Sequence, residues 1–411
     1  MKTKSLIACG LALAGFALCP AVRADEVTDW NANMLTAFRT ANVSPLVASR
    51  SAALVSAAVY DALNGIERRY EPIHVAANAP PEASRRAAAV QAAYAMLVKL
   101  FPAQRPNLDF QLTASLAGIV SEEAVENSQS MLRGIDWGQA VADAIWAWRS
   151  TDGFTTAPPS FPGGVADGQW RPTPPAFLPA AGLQFAYMTP WAMNSRSQFR
   201  PDGPPALASD QYAADFDETR LMGSASSLLR TADQTLACQF WGVGGTATYL
   251  WNHLAVSLAT ERHHTLSENA RLLALLNIAI ADAAIACWEA KYTYAFWRPI
   301  TTIPLTEPGW TTLLVTPNHP EYPSGHSTLS GAAAAVLADH FGDDTSLTFD
   351  SDVLLGVTRS FSSFSAALDE IKEARIFAGI HFRTACEDGQ TTGANVANYI
   401  LENSFRRLHG E

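Results

Sequence analysis

The 411-residue chain has few cysteines and a deficit of basic residues. It contains 5 cysteines, and its 28 Lys and Arg stand against 39 Asp and Glu, for a formal net charge of −11. Cys238, Cys287 and Cys386 follow the first 24 residues, and their odd number and wide spacing predict buried thiols rather than a disulfide scaffold. The acidic balance excludes a general nucleic-acid binder, which needs an exposed basic surface. An anionic ligand would therefore need a local cationic pocket.

Internal repeats and zinc- or calcium-ligand spacings are missing from the sequence, and strand-like alternation is scarce. Apolar residues make up 48% of the chain and charged residues 16%, a composition typical of globular rather than disordered proteins. Bulky apolar residues recur at helical spacing in residues 45–63, 83–101 and 122–149, and again from about 206 almost to the end. The sequence therefore predicts an all-α fold built from helical bundles.

The pattern divides the chain into four regions. Residues 1–24 combine a basic start, an apolar stretch and small residues at 22–24, which predicts a signal peptide and a secreted or periplasmic protein. A lipoprotein signal at Cys9 is the rival interpretation, but that cysteine comes too early. Residues 25–152 form an N-terminal helical region, 153–205 a Pro/Gly-rich connecting segment, and 206–411 a C-terminal helical domain.

The apolar run at residues 272–288 needs separate treatment because it is nearly long enough to cross a membrane. Asn277 and Asp282 lie inside it. An Asp at the centre of a bilayer costs about 2.5–3.5 kcal/mol, and 17 residues are marginal for a span. We therefore predict a helix buried in a bundle, and no membrane span in the mature chain.

Lys291 and Arg298 form the first chemically informative pair. They are seven residues apart, so that both project from one face of a helix that Pro299 ends. Such a pair usually marks a solvated face, but here its neighbours are bulky and apolar. Cations in apolar surroundings need an anion to neutralise them.

Two further segments carry candidate site residues. Pro323, Ser324, Gly325 and His326 precede an Ala-rich helical stretch, where free backbone N–H groups and the positive end of the helix dipole favour an anion. By itself this segment is also compatible with an ordinary helix cap. The third segment runs from Arg375 to His381 and is weak evidence when taken alone.

In this order and at these intervals, the three segments resemble the signature of the superfamily of vanadium-dependent haloperoxidases and type-2 phosphatidic acid phosphatases. Residues 300–322 separate the first two segments and 327–374 separate the last two. The signature spans Lys291 to His381. The resemblance implies a four-helix-bundle core, of which haloperoxidases carry two, with the site in the C-terminal half.

The resemblance also implies a role for each residue. Vanadate and phosphate are similar tetrahedral oxyanions, so one pocket can hold either. Lys291, Arg298 and Arg375 would neutralise the oxygens, while Ser324 and the Gly325 N–H would add hydrogen bonds. These five are the predicted oxyanion-binding residues. His381 would bind vanadium or attack phosphorus, and His326 would be the acid–base.

Two neighbours favour the haloperoxidase branch. Trp288 matches a tryptophan that lines the halide side of the haloperoxidase pocket. His319 matches a position that resembles the extra histidine of bromoperoxidases, which favours bromide or iodide over chloride. A loop histidine that caps a turn is the alternative interpretation of His319.

The third segment departs from the superfamily pattern at two positions. Ala374 replaces a serine, and Ala385 replaces an aspartate that would orient the histidine. The missing aspartate argues against efficient phosphotransfer through His381. Asp233 is the favoured substitute carboxylate, as a partner of the arginine; the alternatives are Asp282, Glu387 and Asp388.

Three hypotheses follow for the function. The first is a secreted haloperoxidase that contains vanadate and oxidises halide with hydrogen peroxide. The second is a periplasmic acid phosphatase that cleaves a phosphate ester through a phosphohistidine. The third is a non-catalytic oxyanion-binding protein. An oligomer is compatible with all three.

Overall fold

The computed structural model of the chain describes residues 25–122, 127–242, 246–351 and 353–408. The predicted signal peptide, residues 1–24, lies outside the described residues, so that the signal peptide and the location remain predictions.

The all-α prediction is confirmed. The described residues form thirteen α-helices: α1 (Glu26–Thr40), α2 (Pro45–Glu67), α3 (Arg85–Leu100), α4 (Arg105–Glu122), α5 (Ser128–Arg149), α6 (Asp210–Met222), α7 (Ala232–Gly242), α8 (Thr246–Glu261), α9 (Leu266–Tyr294), α10 (Pro299–Thr302), α11 (Gly325–Phe341), α12 (Phe364–Phe377) and α13 (Arg383–Asn403). Three short 3₁₀ turns accompany them: Pro102–Gln104, Leu183–Tyr187 and Ile303–Leu305. One small hairpin, which the sequence pattern did not predict, pairs β1 (Leu347–Asp350) antiparallel with β2 (Thr358–Phe361).

Helix α9 is the central element of the fold. It begins with a capping box, in which the Glu268 carboxylate accepts a hydrogen bond from the Thr265 backbone N–H, and it ends at Ala295 in a left-handed conformation. It packs against α2, α8, α11 and α13, and α2 in turn packs against α3 and α5. One hydrophobic core runs through both halves of the described chain, from Val27 to Phe405. Lys291, on the last turns of α9, is thereby held inside the protein.

Two described helices, α2 and α9, are long and apolar enough to cross a membrane by length and composition alone. Their apolar windows are 89% and 94% buried within the protein. Asp282 of α9 is fully buried and accepts hydrogen bonds from the backbone N–H groups of Trp191, Ala192 and Met193 at 2.6–3.0 Å. Its carboxylate therefore fixes the segment before α6 onto α9.

The chain between α5 and α6 contains one 3₁₀ turn and no α-helix, as the Pro and Gly content of residues 153–205 predicts. It nevertheless packs closely on the helices. Trp170 is fully buried and its backbone N–H donates to the Ala295 carbonyl at 2.6 Å, while Arg200 pairs with Glu289 of α9. This packing carries residues 181–185 to the end of α9, where the candidate site lies.

Candidate active site

A cavity of about 390 Å³ lies where the start of α11 meets the end of α9 and the turn between α12 and α13. Six of the sequence-predicted site residues line it: Trp288, His319, Gly325, His326, Arg375 and His381. Of the other four predicted site residues, Lys291, Arg298 and Ser324 are fully buried behind the cavity wall, whereas Asp233 lies elsewhere. The structure therefore brings the three sequence segments together, in one layer of residues that line the cavity and a second layer buried behind them.

The first turn of α11 forms one wall of the cavity. Ser324 is the N-cap, and its hydroxyl oxygen accepts hydrogen bonds from the Ser327 N–H and hydroxyl. Gly325 follows because a Cβ there would lie 3.1 Å from two carbons of the Trp288 ring. Helix geometry leaves the first N–H groups of α11 without intrahelical partners, beside the cavity.

Arg298 connects the two histidines that flank the cavity. Its guanidinium donates to the backbone carbonyls of His319 at 2.9 Å and Ile380 at 2.7 Å. It also contacts His319 Nδ1 at 2.9 Å and His381 Nε2 at 3.1 Å. Because arginine can only donate, His381 Nε2 must be an acceptor, so the proton of that neutral ring lies on Nδ1. His319 Nδ1 also lies 3.2 Å from the Pro320 carbonyl oxygen, which can only accept, so its two contacts favour opposite tautomers.

Glu321 holds His381 from the opposite side. Its Oε1 lies 2.8 Å from His381 Nδ1, the nitrogen that carries the proton, and it also accepts from the Phe382 backbone N–H at 3.0 Å. Burial raises the pKa of Glu321 to about 7, and burial together with Arg298 lowers the pKa of His381 well below its ordinary value. The His381 imidazole is therefore neutral, and the lone pair of its Nε2 points away from Glu321.

Lys291 occupies the layer behind Gly325. Its ammonium group donates to the carbonyls of Pro320 and Glu321, both at 2.9 Å, and to that of Pro323. Burial lowers its pKa to about 8. Since three carbonyls occupy its three N–H donors, Lys291 acts on the cavity through its charge rather than through a direct contact.

Arg375, by contrast, lines the cavity and is incompletely bonded. One terminal nitrogen donates to the Trp241 carbonyl at 3.2 Å, whereas the buried Nε has no hydrogen-bond partner among the described residues. Burial lowers its pKa to about 10, a value that keeps it charged at neutral pH. A buried guanidinium with unused donors is a binding site for an anion.

His326 faces the same cavity. Its imidazole has no hydrogen-bond partner among the described residues, and burial, followed by the charges of Arg375, Lys291 and Arg298, holds its pKa well below the ordinary value. The ring is therefore neutral at neutral pH, with one nitrogen able to accept a proton.

The charges around the cavity do not balance. Three buried cations, Lys291, Arg298 and Arg375, accompany Glu321, the buried carboxylate that contacts this cluster in the described part of the chain. Because the raised pKa of Glu321 leaves it only partly ionised near pH 7, the cluster has a net positive charge. An oxyanion in the cavity would neutralise that charge beside Arg375, which lines the cavity.

Comparisons with known proteins agree with this geometry. Residues 271–410 match the family model described as the VCPO second helical-bundle domain. A vanadium chloroperoxidase of Curvularia inaequalis is 28% identical over 176 residues, which are 34% of this chain and 29% of that protein. The matched segment therefore spans less than a third of that curated relative.

Solved structures extend the similarity to almost the whole chain. The crystal structure of the first bacterial vanadium-dependent iodoperoxidase has a TM-score of 0.80 and 26% identity, covering 94% of this chain and 97% of the other. The C-terminal third of the chain thus matches a chloroperoxidase domain family, and nearly the whole chain shares its fold with a bacterial vanadium-dependent iodoperoxidase. The apo form of a bacterial vanadium-dependent chloroperoxidase, 16% identical with a TM-score of 0.69 and coverage of 88% and 94%, shares the fold.

These similarities raise the question of whether the residues around the cavity fit vanadate. The donor set suits an oxyanion rather than a bare metal cation, since no group of three or more His, Cys, Asp or Glu side chains among the described residues has the arrangement of a metal site. A single histidine beside three cations, one with an orphaned buried Nε, fits vanadate.

Glu321 is the main functional residue that the sequence analysis missed, and Asp233 was a wrong choice. Asp233 is exposed and pairs with Arg359, 2.6 Å away, because it lies at the start of α7 beside the hairpin rather than next to Arg375. Asp282, an alternative candidate, accepts hydrogen bonds from the backbone N–H groups of residues 191–193 instead. The only sequence signal for Glu321 is its place between His319 and Pro323, inside the superfamily motif.

Glu387 and Asp388 are not the histidine's partner either. Both lie on the first turns of α13, where Asp388 accepts from the Tyr322 hydroxyl and Glu387 lies 3.7 Å from Arg383. His381 precedes this helix, and its Nδ1 is turned toward Glu321 instead.

The low pKa of Lys291 predicts a pH dependence of oxyanion binding. The lysine is charged below about pH 8 and neutral above it, so the affinity should fall as the pH rises from 7 to 9, by up to about tenfold per unit above pH 8. Sulfate is the suitable probe because its charge stays constant over this range, and calorimetry measures the affinity. Lys291→Met should bind sulfate weakly at pH 7, and its pH profile should be shallower than that of the wild type, because only the ionisation of Glu321 then remains. An unchanged wild-type affinity at pH 7 and 9 would contradict this role of Lys291.

Proposed function

We propose that this protein is a vanadium-dependent haloperoxidase that oxidises bromide or iodide with hydrogen peroxide. The observation that carries the proposal is the cavity itself, where a neutral histidine held by Glu321 lies beside a net positive cluster of buried cations. A secreted or periplasmic location, as residues 1–24 predict, forms part of the proposal.

His381 would hold vanadate through Nε2, with Arg375 and the first N–H groups of α11 around its oxygens and the charges of Lys291 and Arg298 behind them. Bound vanadate supplies a Lewis-acid centre that activates peroxide toward halide. Arg298 has to release Nε2 for this bond, while its hydrogen bonds to the His319 and Ile380 carbonyls keep its charge in place. Glu321 retains Nδ1–H and thereby orients the ring.

His326 is the acid–base of the proposed reaction. Because its ring is neutral and lines the cavity, it accepts a proton from hydrogen peroxide as the peroxide enters, and it returns that proton to the departing water. The buried cations stabilise the negative charge that remains in the cavity during this transfer.

Trp288 and His319 form the side of the cavity that we assign to the halide. Their rings lie 5.0 Å apart between centroids. In the tautomer that the Arg298 contact favours, the His319 proton is on Nε2, which would then donate to an anion in the cavity. A histidine at this position favours bromide or iodide, as the resemblance implies, and chloride is expected to react more slowly.

An acid phosphatase is the second candidate, and one observation favours it. Glu321 contacts His381 in place of the aspartate that the superfamily pattern has at position 385, where this chain has alanine. The absence of that aspartate therefore no longer argues against a phosphohistidine intermediate. The compared proteins, all vanadium peroxidases, favour the first proposal.

Parallel assays of the purified protein distinguish the candidates. With vanadate, hydrogen peroxide and each halide in turn, the proposal predicts halogenation of a trapping amine with bromide and iodide. A phosphate ester without vanadate should react slowly or not at all. Ester cleavage that His381→Ala abolishes, with no halogenation, would establish the phosphatase instead. Tight sulfate or vanadate binding without either activity would indicate an oxyanion-binding protein.

Replacing Glu321 tests its support of His381. Glu321→Ala should weaken vanadate binding about 10–100-fold, the usual cost of losing the hydrogen-bond partner of a metal-bound histidine. Glu321→Gln should lose less, because its amide oxygen accepts the same bond. Glu387→Ala, an exposed carboxylate of α13, is the matched control. Equal vanadate affinity in Glu321→Ala and the control, in proteins with unchanged melting, would disprove this role.

A further inference from the structure

We propose that the apolar side of the active-site cavity binds an electron-rich aromatic compound, which the reaction then halogenates before the oxidised halogen escapes. The proposal rests on the haloperoxidase function proposed above and adds the class of organic substrate. It concerns the residues that α2 and the segment before α6 contribute to the cavity.

The cavity is larger than the inorganic reactants require. A tetrahedral oxyanion has about the bulk of four to five waters, or roughly 150 Å³ at about 30 Å³ per water, and a halide ion needs about one water more. The cavity volume is about 390 Å³, which lies in the range typical of sites for small organic ligands. Space for a one- or two-ring compound remains beside the oxyanion.

The lining divides by chemistry. Arg375, His381 and His326 make one part of the lining polar, whereas another part consists of apolar groups: Pro45, Leu46, Val47, Ala181, Gly182, Phe185, Val315 and Pro317. None of this second set belongs to the superfamily signature, and most of it comes from the N-terminal half of the chain. An apolar surface beside a charged centre is suited to hold an apolar reactant against it.

The apolar wall touches the side assigned to the halide. A Cβ on Gly182 would lie 2.5 Å from Leu46 Cδ1 and 2.6 Å from Trp288 Nε1, so these three residues meet at one point. Gly182 also has a φ of 75°, which favours glycine. The close approach brings Leu46 of α2 next to the indole of α9. A compound on this wall would therefore lie beside the oxidised halogen.

Aromatic compounds fit this wall best. Trp288 and Phe185 both line the cavity and are held rigidly because each is largely buried, so a bound ring would meet fixed aromatic groups there. Gln184 and Ser44 add polar groups to the lining, where they would meet a ring hydroxyl or N–H. Electron-rich rings are also the compounds that an electrophilic halogen attacks.

The chemistry balances with the reactants of the proposed function. Hydrogen peroxide, one proton and bromide give hypobromous acid and water, so that bromide is oxidised by two electrons and peroxide is reduced. The ring then forms a C–Br bond and loses its proton, while the hydroxyl group of hypobromous acid leaves as water. No further oxidant or reductant is needed.

Indole is the probe for the binding experiment, which uses the full protein without peroxide. We expect calorimetry to show saturable binding at one site per chain. Leu46→Trp, which fills the apolar side, should weaken this binding by at least about tenfold. Leu228→Trp, an almost fully exposed leucine outside the cavity, is the matched control and should bind as the wild type does. Absence of saturable wild-type binding would overturn the proposal, even if Leu46→Trp fails to fold.

A competition experiment tests whether indole is halogenated while it is bound in the cavity. Vanadate-loaded protein receives peroxide, bromide, indole and taurine together, and the ratio of brominated indole to bromotaurine is compared with that from added hypobromite. The proposal predicts a higher ratio with the protein, which Leu46→Trp lowers toward the reagent value. A ratio equal to the reagent value would overturn it. Indole binding without any brominated product, of indole or of taurine, would instead contradict the haloperoxidase function and leave the aromatic site standing.

Discussion

His381→Ala is expected to abolish vanadate-dependent halogenation. The substitution removes the nitrogen proposed to bind vanadium, so that vanadate affinity should fall by more than the roughly 10–100-fold that loss of an outer hydrogen-bond partner costs. Vanadate binding, measured by calorimetry, and halogenation with bromide at saturating peroxide should be lost together.

His340→Ala provides the control, because this exposed histidine lies at the far end of α11 from the cavity. It should bind vanadate and turn over as the wild type does. If His381→Ala kept its halogenation rate at wild-type vanadate concentrations, His381 would not be the ligand. Sulfate should still bind to this variant, since the three cations remain.

His326→Gln is expected to lower kcat by about 10²–10⁴-fold, the usual range for loss of a general acid–base. Glutamine has a similar length and retains polar atoms, but it cannot exchange a proton near neutral pH. Because the cations and His381 remain, the vanadate affinity should stay within a few-fold of the wild type. The two histidine variants thus separate binding from turnover.

Steady-state kinetics at saturating vanadate give kcat for His326→Gln, and calorimetry gives its vanadate affinity. A variant with wild-type kcat would remove His326 from the proposed proton transfer. Lost vanadate affinity together with lost kcat would mean that His326 binds the oxyanion rather than acting as the acid–base.

Much of this site could be predicted from the sequence because its residues fall in short segments with local geometry. Ser324 and Gly325 begin α11 because of capping preferences and close packing, and both are properties of a few adjacent residues. Helical spacing placed Lys291 on a helix correctly, but the prediction that Arg298 shares a face of that helix was wrong. Helix α9 ends at Tyr294, and Arg298 is the extended N-cap of α10, which Pro299 begins. The resemblance to the superfamily signature then predicted that the three segments form one site.

The pairing of Glu321 with His381 was beyond such reasoning. The two residues are 60 positions apart, and the contact depends on how the turn after α12 meets the loop before α11. The sequence also could not predict that Lys291 and Arg298 lie behind the residues that line the cavity. Both donate hydrogen bonds to backbone carbonyls of the loop before α11, and the path of that loop depends on the tertiary structure. Asp233 was wrong for the same reason, because sequence distance does not reveal which arginine a surface aspartate meets.

The contribution of the N-terminal half to the cavity could be predicted only in part. Helical periodicity predicted helices there, and the apolar, buried α2 meets that expectation. It could not predict that Leu46 of α2 reaches Trp288 of α9, because that contact depends on the packing of residues 181–185 between them. The wall of the cavity is therefore a property of the tertiary structure.

Titration of the metal-free protein with vanadate tests the central claim most directly. Halogenation of bromide by hydrogen peroxide should rise from zero with each addition and level off at one vanadate per chain, and excess phosphate should slow the rise by competing for the same cavity. Activity that is already maximal before vanadate is added, or that stays absent at saturating vanadate, would contradict the account.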